Sequence, residues 1–177
     1  MIEQFTRYGL TFRTVEEADA SFILALRTDA VLSRFLSSTE PGIATQKEWI
    51  REYKKRENRN EEVYFVSLNW QGERQGLNRL YNYKDDCFEI GSWLYKAGLD
   101  ISVPVLGDLA ARDYGFERLG FACCNFGVRK DNLAVLKYHQ GFKPEKTGES
   151  ELDYYFRLSY DDYKTHRNKL LKLLNHV

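Results

Sequence analysis

The sequence predicts a single α/β domain, of the α+β kind, in which helices flank one mixed sheet of about six to seven strands. Its 177 residues suit one domain, since a chain of this size buries roughly 70% of the surface that its unfolded form exposes. Strand and helix patterns follow the order strand, helix, helix, three strands, helix, strand, helix, strand, helix. No repeat or low-complexity linker divides residues 1–177.

The first half is predicted to hold one strand, two helices and a meander. Leu10 to Arg13 has a strand pattern, and Thr14 and Glu17 follow it with the spacing of a helix capping box. Thr45 and Glu48 repeat that spacing before a second helix, which ends in the charged run KKRENRNEE. Three runs of β character separated by turns then predict an antiparallel meander: VYFVSLNW (63–70), GLNRLYNY (76–83) and CFEIGSWLY (87–95).

The second half is predicted to contain a crossover unit and a final strand and helix. A helix from about Val103 to Leu119 precedes the strand FACCNFGVR, which implies parallel pairing around the helix. A further helix runs from about Asn132 to Gln140. ELDYYFRLS (151–159) predicts the last strand, and Ser159 with Asp162 gives a capping signal for the final helix.

Composition limits the classes of partner. With 26 basic and 26 acidic residues the formal net charge is zero, which does not favour nucleic acid or an anionic membrane as the main partner. No window approaches 18 uncharged apolar residues, and the first residues lack the pattern of a signal peptide. The three cysteines have no metal-type spacing, so we expect reduced thiols and a soluble cytoplasmic protein.

Several short motifs resemble one enzyme family. EIGSWL stands before the central helix, DYGFERLG at its end, and a strand-then-helix unit closes in GF. In this order, over about Leu10 to Ser159, they resemble the GCN5-related N-acetyltransferases. The early run LALRTDAVLSRFL and the EIGSWL strand are most similar to the branch that contains ribosomal-protein N-terminal and nucleotide-aminosugar N-acetyltransferases.

The resemblance implies transfer of an acetyl group from acetyl-CoA to a primary amine, with no metal and no covalent enzyme intermediate. The first choice of acceptor is the amine of a nucleotide-linked amino sugar. The alternatives are acetylation of a protein N-terminus and a non-catalytic binding module of the same fold. We expect a small-molecule amine partner, no nucleic acid or membrane partner, and a monomer or homodimer.

The segment GLDISVPVLGD (98–108) lies where the resemblance places the turn that binds the pyrophosphate of coenzyme A. Asp100, Ser102 and Pro104 stand where glycines are common in the family. Backbone N–H groups at a helix start bind anions without side chains, and Ser102 is a good N-cap, but Asp100 adds a negative charge. The resemblance assigns cofactor binding to Leu94, Tyr95, Lys96, Ser102, Val103, Val105, Leu106, Gly107, Asn132 and Lys137, with the N–H groups of 94–96 polarising the thioester carbonyl.

Glu89 is the candidate general base, acting directly or through water. Strand alternation along CFEIGSW places Glu89, Gly91 and Trp93 on one face, where Gly91 would leave room for substrate. Glu89 could instead pair with a neighbouring strand or cap a loop. Trp93 could contact the substrate or pack in the core.

The proton donor for the leaving thiolate is expected in RKDNLAVLKYHQGF. Alignment from Asn132 places His139 at the family's tyrosine, whereas alignment from Gly141-Phe142 places Lys137 there, with Tyr138 between them. Tyr138 and His139 are therefore both candidates, and Lys137 would lie near a phosphate. Plain helix packing is the alternative for each.

Acceptor recognition is expected from the irregular polar and aromatic segment after the first helix. It contains Arg27, Asp29 and Phe35, and Trp93 would join them from the EIGSWL strand. A solvated connection explains the same segment equally well.

Overall fold

The computed structural model describes residues 4–36 and 38–176. It contains one eight-stranded sheet in the order β1-β2-β3-β4-β5-β6-β8-β7. The strands are β1 (Phe5–Arg7), β2 (Leu10–Thr14), β3 (Val63–Leu68), β4 (Arg74–Lys84), β5 (Cys87–Tyr95), β6 (Cys123–Arg129), β7 (Glu145–Glu149) and β8 (Asp153–Ser159). The helices are α1 (Ala20–Thr28), α2 (Ile43–Asn58), α3 (Ser102–Asp113), α4 (Leu133–Gln140) and α5 (Tyr160–Leu173); a short 3-10 helix (Glu17–Asp19) precedes α1, and a π-helical turn (Tyr114–Arg118) follows α3.

The predicted α/β class, the meander and the crossover are confirmed, whereas two strands were missed. β3, β4 and β5 pair in antiparallel fashion, and β5 pairs with β6 in parallel around α3. The missed strands are short or polar: β1 has three residues, and β7 is the edge strand EKTGE. Neither has enough alternation of apolar and polar residues to be recognised as a strand.

Two of the predicted helix caps are wrong. Before α1 the reciprocal capping pair is Glu16 with Asp19, not Thr14 with Glu17, and Arg13 holds the buried Asp19 carboxylate at 2.7 Å. Helix α2 begins after Gly42, so Thr45 already lies within it. The caps by Asn132 of α4 and Ser159 of α5 are confirmed, since each side chain accepts a backbone N–H.

The sheet separates two hydrophobic layers. One face packs against α1 and α2 through a cluster that includes Ile23, Ile50 and Leu94. The other face packs against α3, α4 and α5 through a larger cluster that includes Leu109 and Leu136. No helix of the described chain is long and apolar enough to span a bilayer.

Cysteine chemistry differs from the prediction. Cys87 of β5 and Cys123 of β6 are directly opposite each other and form a disulfide, so the expectation that both are reduced thiols is wrong. The sequence gives no sign of this, because the two residues are 36 positions apart. Cys124 is a free, buried thiol, and burial raises its pKa to about 12.

Candidate active site

Strands β5 and β6 pair over only three residues each and then diverge. Their pairing covers Cys87 to Glu89 of β5 and Cys123 to Asn125 of β6, although both strands continue further. The gap between them opens at Ile90 and Phe126. Such a gap exposes backbone groups and side chains in the middle of a sheet, where a ligand can enter.

A bulge in β5 changes which side chains face each side of the sheet. Leu77 and Arg79 of β4 lie opposite Leu94 and Gly91 of β5, so β5 carries one extra residue, and Ser92 has a φ of 50°. A bulge of this kind inverts the alternation beyond it. The predicted common face of Glu89, Gly91 and Trp93 is therefore wrong, because Trp93 lies on the α3–α4 side.

A cavity of about 150 Å³ fills the gap on that side, and we call it the α3–α4 cavity. Its walls come from β5, β6, α3, α4 and the segment before α2, and include Phe35, Trp93 and Asn132. The Trp93 indole donates to the carbonyl of Pro104 at 2.8 Å. This bond fixes the indole between β5 and the first turn of α3.

A buried charged group forms the floor of the α3–α4 cavity. The guanidinium of Arg112, fully buried, donates to Asp108 at 2.9 Å, and the Tyr138 hydroxyl donates to the same carboxylate oxygen at 2.8 Å. Arg112 and His139 line the cavity. Arg112 Nη2 and His139 Nδ1 are buried and make no hydrogen bond to any described residue.

The electrostatic state of this floor follows from burial. Burial first, and then the Arg112 cation, lower the pKa of His139 well below its usual range, so the imidazole is neutral near pH 7. Burial and the Asp108 carboxylate raise the pKa of Tyr138. The floor thus presents one cation and neutral hydrogen-bonding groups, with its carboxylate already occupied.

A larger cavity of about 540 Å³, the α1–α2 cavity, lies on the opposite side of the sheet. Arg27 of α1, Trp49 of α2, Arg79 and Tyr81 of β4 and Glu40 line it. Leu36 and Ser92 line both cavities, so the two adjoin at the bulge. A volume of this size accommodates a small molecule of several rings.

The α1–α2 cavity carries an excess of positive charge. The guanidinium of Arg79 shares the single buried carboxylate of Glu62 with Arg56, so these three groups together carry one net positive charge. Arg27 donates through Nε to Thr39 at 2.8 Å and forms no ion pair with a carboxylate in the described part of the chain. Glu40 is the one acidic side chain among the described residues that line this cavity.

Glu89 lines neither cavity. Its carboxylate accepts from the Tyr81 hydroxyl at 2.7 Å and from the Asn82 amide at 2.8 Å. Tyr81 was missed in the sequence, because a register shift between Tyr81 and Lys84 places it opposite Glu89, whereas regular pairing outward from Lys84 and Cys87 would place it opposite Ile90. Space beside Gly91 is not open for substrate as expected, since a Cβ there would meet Tyr81 Oη at 3.1 Å.

The 98–108 turn differs from the expectation that Ser102 caps the helix. Helix α3 begins at Ser102, and Asp100 caps it instead: its carboxylate accepts from the N–H and hydroxyl of Ser102, at 2.9 and 2.6 Å. The N–H of Val103 bonds to the Asp100 carbonyl at 3.0 Å, and Pro104 has none. Asp100 therefore occupies the N–H groups of both Ser102 and Val103.

The other residues predicted to bind a cofactor have mixed locations. Leu94, Tyr95, Leu106 and Gly107 are buried in the core, and a Cβ at Gly107 would overlap the Tyr95 hydroxyl, so this glycine is needed for packing.

The backbone donors at the end of β5 differ from one another. The Lys96 N–H donates to the Gln75 carbonyl at 2.9 Å, which excludes it as a free donor. By alternation the Tyr95 N–H points away from β4, into the gap. Val103 and Val105 pack against the core, and Lys137 is exposed.

The four residues predicted to recognise an acceptor do not form one site. Arg27 lines the α1–α2 cavity, whereas Phe35 and Trp93 line the α3–α4 cavity. Asp29 lines neither and caps a turn by accepting from the N–H groups of Val31 and Leu32, both at 2.9 Å. Asp108 and Arg112 were missed, although their spacing of four residues in a helix is the pattern of a salt bridge.

The chain is similar in sequence and structure to known acetyltransferases. The family model described as an acetyltransferase (GNAT) domain matches residues 9–142. The apo structure of FdhC, a nucleotide-linked sugar GNAT, is 31% identical, with a TM-score of 0.85 over 96% of this chain and 97% of that one. No curated protein sequence matches the chain.

Two further solved structures share the fold at low identity. Ribosomal-protein-S5-alanine acetyltransferase from Vibrio fischeri is 14% identical, with a TM-score of 0.75 over 92% of this chain and 99% of that one. Spermidine N-acetyltransferase from Vibrio cholerae, solved with CoA and spermine, is 20% identical, with a TM-score of 0.74 over 88% and 98%. The family match and the relative at 31% identity identify the chain as a member of the GNAT acetyltransferase family, an N-acetyltransferase.

Proposed function

We propose that this N-acetyltransferase acetylates the primary amine of a nucleotide-linked amino sugar. The charge of the α1–α2 cavity carries the proposal: Arg27 faces it without a carboxylate partner among the described residues, and one acidic side chain lines it. A guanidinium binds phosphate oxygens in bidentate fashion, whereas a site for a cationic polyamine needs several acidic side chains. The relative at 31% identity is itself a nucleotide-linked sugar GNAT.

In this proposal acetyl-CoA binds from the α3–α4 side. Asn132 and Trp93 line the cavity there, and the N–H of Tyr95 polarises the thioester carbonyl in the gap between β5 and β6. The two cavities adjoin at Ser92, and there the amine reaches the acetyl group. We propose that the reaction takes place in the cytoplasm and uses the acetyl-CoA there. Disulfides are uncommon in that compartment, so the Cys87–Cys123 bond is an exception to the usual pattern.

Proton transfer needs a base for the amine and a donor for the thiolate. Glu89 is the proposed base. His139 has an unpartnered Nδ1 in the α3–α4 cavity, while the Tyr138 hydroxyl is directed to Asp108. We therefore propose that His139 hydrogen-bonds the leaving sulfur and that Tyr138 orients the Asp108–Arg112 pair, with Arg112 stabilising the negative charge on the sulfur.

The experiment is steady-state kinetics by thiol release from acetyl-CoA with three acceptors: a nucleoside-diphosphate amino sugar, spermidine and a peptide with N-terminal alanine. We expect the nucleotide-linked sugar to give the highest kcat/KM. Arg27→Ala should raise KM for that acceptor by about tenfold. Arg59→Ala, an exposed arginine paired with Glu61, is the matched control and should change nothing.

Preference for spermidine or for the peptide would overturn the assignment of the acceptor and leave the acetyltransferase assignment intact. An unchanged KM in Arg27→Ala would remove the observation on which the proposal rests.

A further inference from the structure

Tyr81 stands between the α1–α2 cavity and Glu89. Its side chain lines that cavity, which Glu89 does not reach. The Tyr81 hydroxyl donates to Glu89 Oε1 at 2.7 Å. An amine bound in the cavity therefore meets the Tyr81 phenol on the way to the carboxylate.

The surroundings hold this phenol in one orientation. Gly91, the residue opposite Arg79 in the β4–β5 pair, has no side chain and leaves the space that the Tyr81 ring occupies. The Arg79 guanidinium lies 4.6 Å from the centroid of the Tyr81 ring and is fixed by Glu62. Asn82 holds the second oxygen of Glu89 at 2.8 Å, so both partners of the hydrogen bond are positioned.

We propose that Tyr81 relays the acceptor's proton to Glu89 during acetyl transfer. This rests on the proposed role of Glu89 as base but not on the identity of the acceptor. As the neutral amine nitrogen bonds to the thioester carbonyl carbon, its N–H proton passes to Tyr81 Oη, and the phenol proton passes to Glu89 Oε1. The C–S bond breaks and its electron pair leaves with sulfur, and the thiolate takes up a proton from solvent.

A phenol is suited to this relay because its oxygen donates one hydrogen bond and accepts another. Tyr81 is neutral before and after the step, and the half-buried Glu89 then returns its proton to solvent. Burial and the Glu89 carboxylate raise the pKa of Tyr81, so the group remains a phenol across the working pH range. The charged groups around it are Glu89, Arg79 and Glu62.

The test is Tyr81→Phe, which keeps the ring beside Arg79 and removes the hydroxyl. It is assayed with whichever of the three acceptors above reacts fastest. We expect kcat to fall about 100-fold, with both KM values within twofold. Tyr83→Phe, on the same strand but packed against the α3 side of the core, is the matched control and should retain wild-type kcat.

A double-mutant comparison and an isotope measurement separate a relay from a structural role. Tyr81→Phe combined with Glu89→Gln should lose no more than either alone, because both interrupt one path. The proton inventory of wild-type kcat in H₂O–D₂O mixtures should be curved, as expected for two protons moving together, and linear in Tyr81→Phe.

Several outcomes contradict the relay. A kcat of Tyr81→Phe within threefold of wild type, with a large loss in Glu89→Gln, would show that Glu89 acts without Tyr81. Raised KM with unchanged kcat would make Tyr81 a wall of the cavity. Unchanged kcat in both variants would instead overturn the proposed role of Glu89 itself.

Discussion

At the scale of single residues, the buried polar side chains of the α3–α4 cavity are the informative ones. Arg112 donates through Nε to Asp108 and through Nη1 to the Cys124 sulfur, yet Arg112 Nη2 and His139 Nδ1 have no partner among the described residues. An unpaired buried donor costs about 1–3 kcal/mol. Such a cost is compensated when a ligand supplies the missing acceptor, as the sulfur or carbonyl of a bound thioester would.

The neutral state of His139 predicts a pH dependence of stability. Its pKa is lowered in the folded protein, so the unfolded chain binds a proton below about pH 6.5 that the folded chain does not. Stability is therefore complete above pH 6.5 and falls as the pH decreases, by up to about 1.4 kcal/mol per pH unit for one group. Urea unfolding between pH 5 and 7.5 measures this.

His139→Gln should remove most of that dependence. His166 also has a lowered pKa, from burial, but it is half-buried, so His166→Gln should remove a smaller part and serves as the control. If the slope in His139→Gln equalled that of the wild type, His139 would be protonated in the folded state and its proposed neutral role would be wrong.

At the scale of elements, the 98–108 turn is the main departure from the family pattern. Asp100 occupies the N–H groups of Ser102 and Val103, at the start of α3, with its own carboxylate and carbonyl. Hydrogen bonds from Ser102 lower the pKa of Asp100, so it is charged at pH 7. A pyrophosphate that binds at this helix start has to displace the Asp100 carboxylate, and the negative charge of that carboxylate repels it.

Replacement of Asp100 should therefore tighten acetyl-CoA binding. We expect Asp100→Gly to lower KM for acetyl-CoA by about five- to tenfold, because one negative charge leaves the helix start. Asp161→Asn, in the first turn of α5, is the control and should leave KM unchanged. A higher KM in Asp100→Gly would mean that the Asp100 cap organises the turn for binding.

The β5–β6 pair gives a second test at this scale. The Cys87–Cys123 disulfide ties these strands at the end opposite the gap. Alkylation of the denatured, unreduced protein should label one cysteine, Cys124. Reduction should lower stability by about 4 kcal/mol, the entropy term for a loop of 36 residues. Labelling of all three cysteines would contradict the bond.

The sequence allowed most elements to be predicted because their patterns are local. Alternation in 63–95 and the crossover helix were sufficient for the central sheet. The bulge at Ser92 was not predictable, since no glycine stands at its positive φ, and it reversed the face of Trp93. The Tyr81–Glu89 contact depends on an irregularity within the β4–β5 hairpin. The disulfide depends on the register between β5 and β6, which no local pattern fixes.

At the scale of the whole molecule, the sheet separates two cavities of different character that adjoin at the β5 bulge. The α3–α4 cavity is small and is lined by Asp108 and Arg112 of α3, whereas the α1–α2 cavity is large and bears Arg27. In the proposed reaction the two substrates approach from opposite faces of the sheet and meet at Ser92. We therefore expect selection of the acceptor to depend on the α1–α2 side.

The most direct test of the account is a competition assay with radiolabelled acetyl-CoA. One mixture would contain the nucleoside-diphosphate amino sugar, spermidine and the alanine-terminated peptide at equal concentrations, and the products would be separated and counted. The account predicts that most of the label appears on the nucleotide-linked sugar, and that Arg27→Ala lowers this share. Label found mainly on spermidine or on the peptide would contradict it.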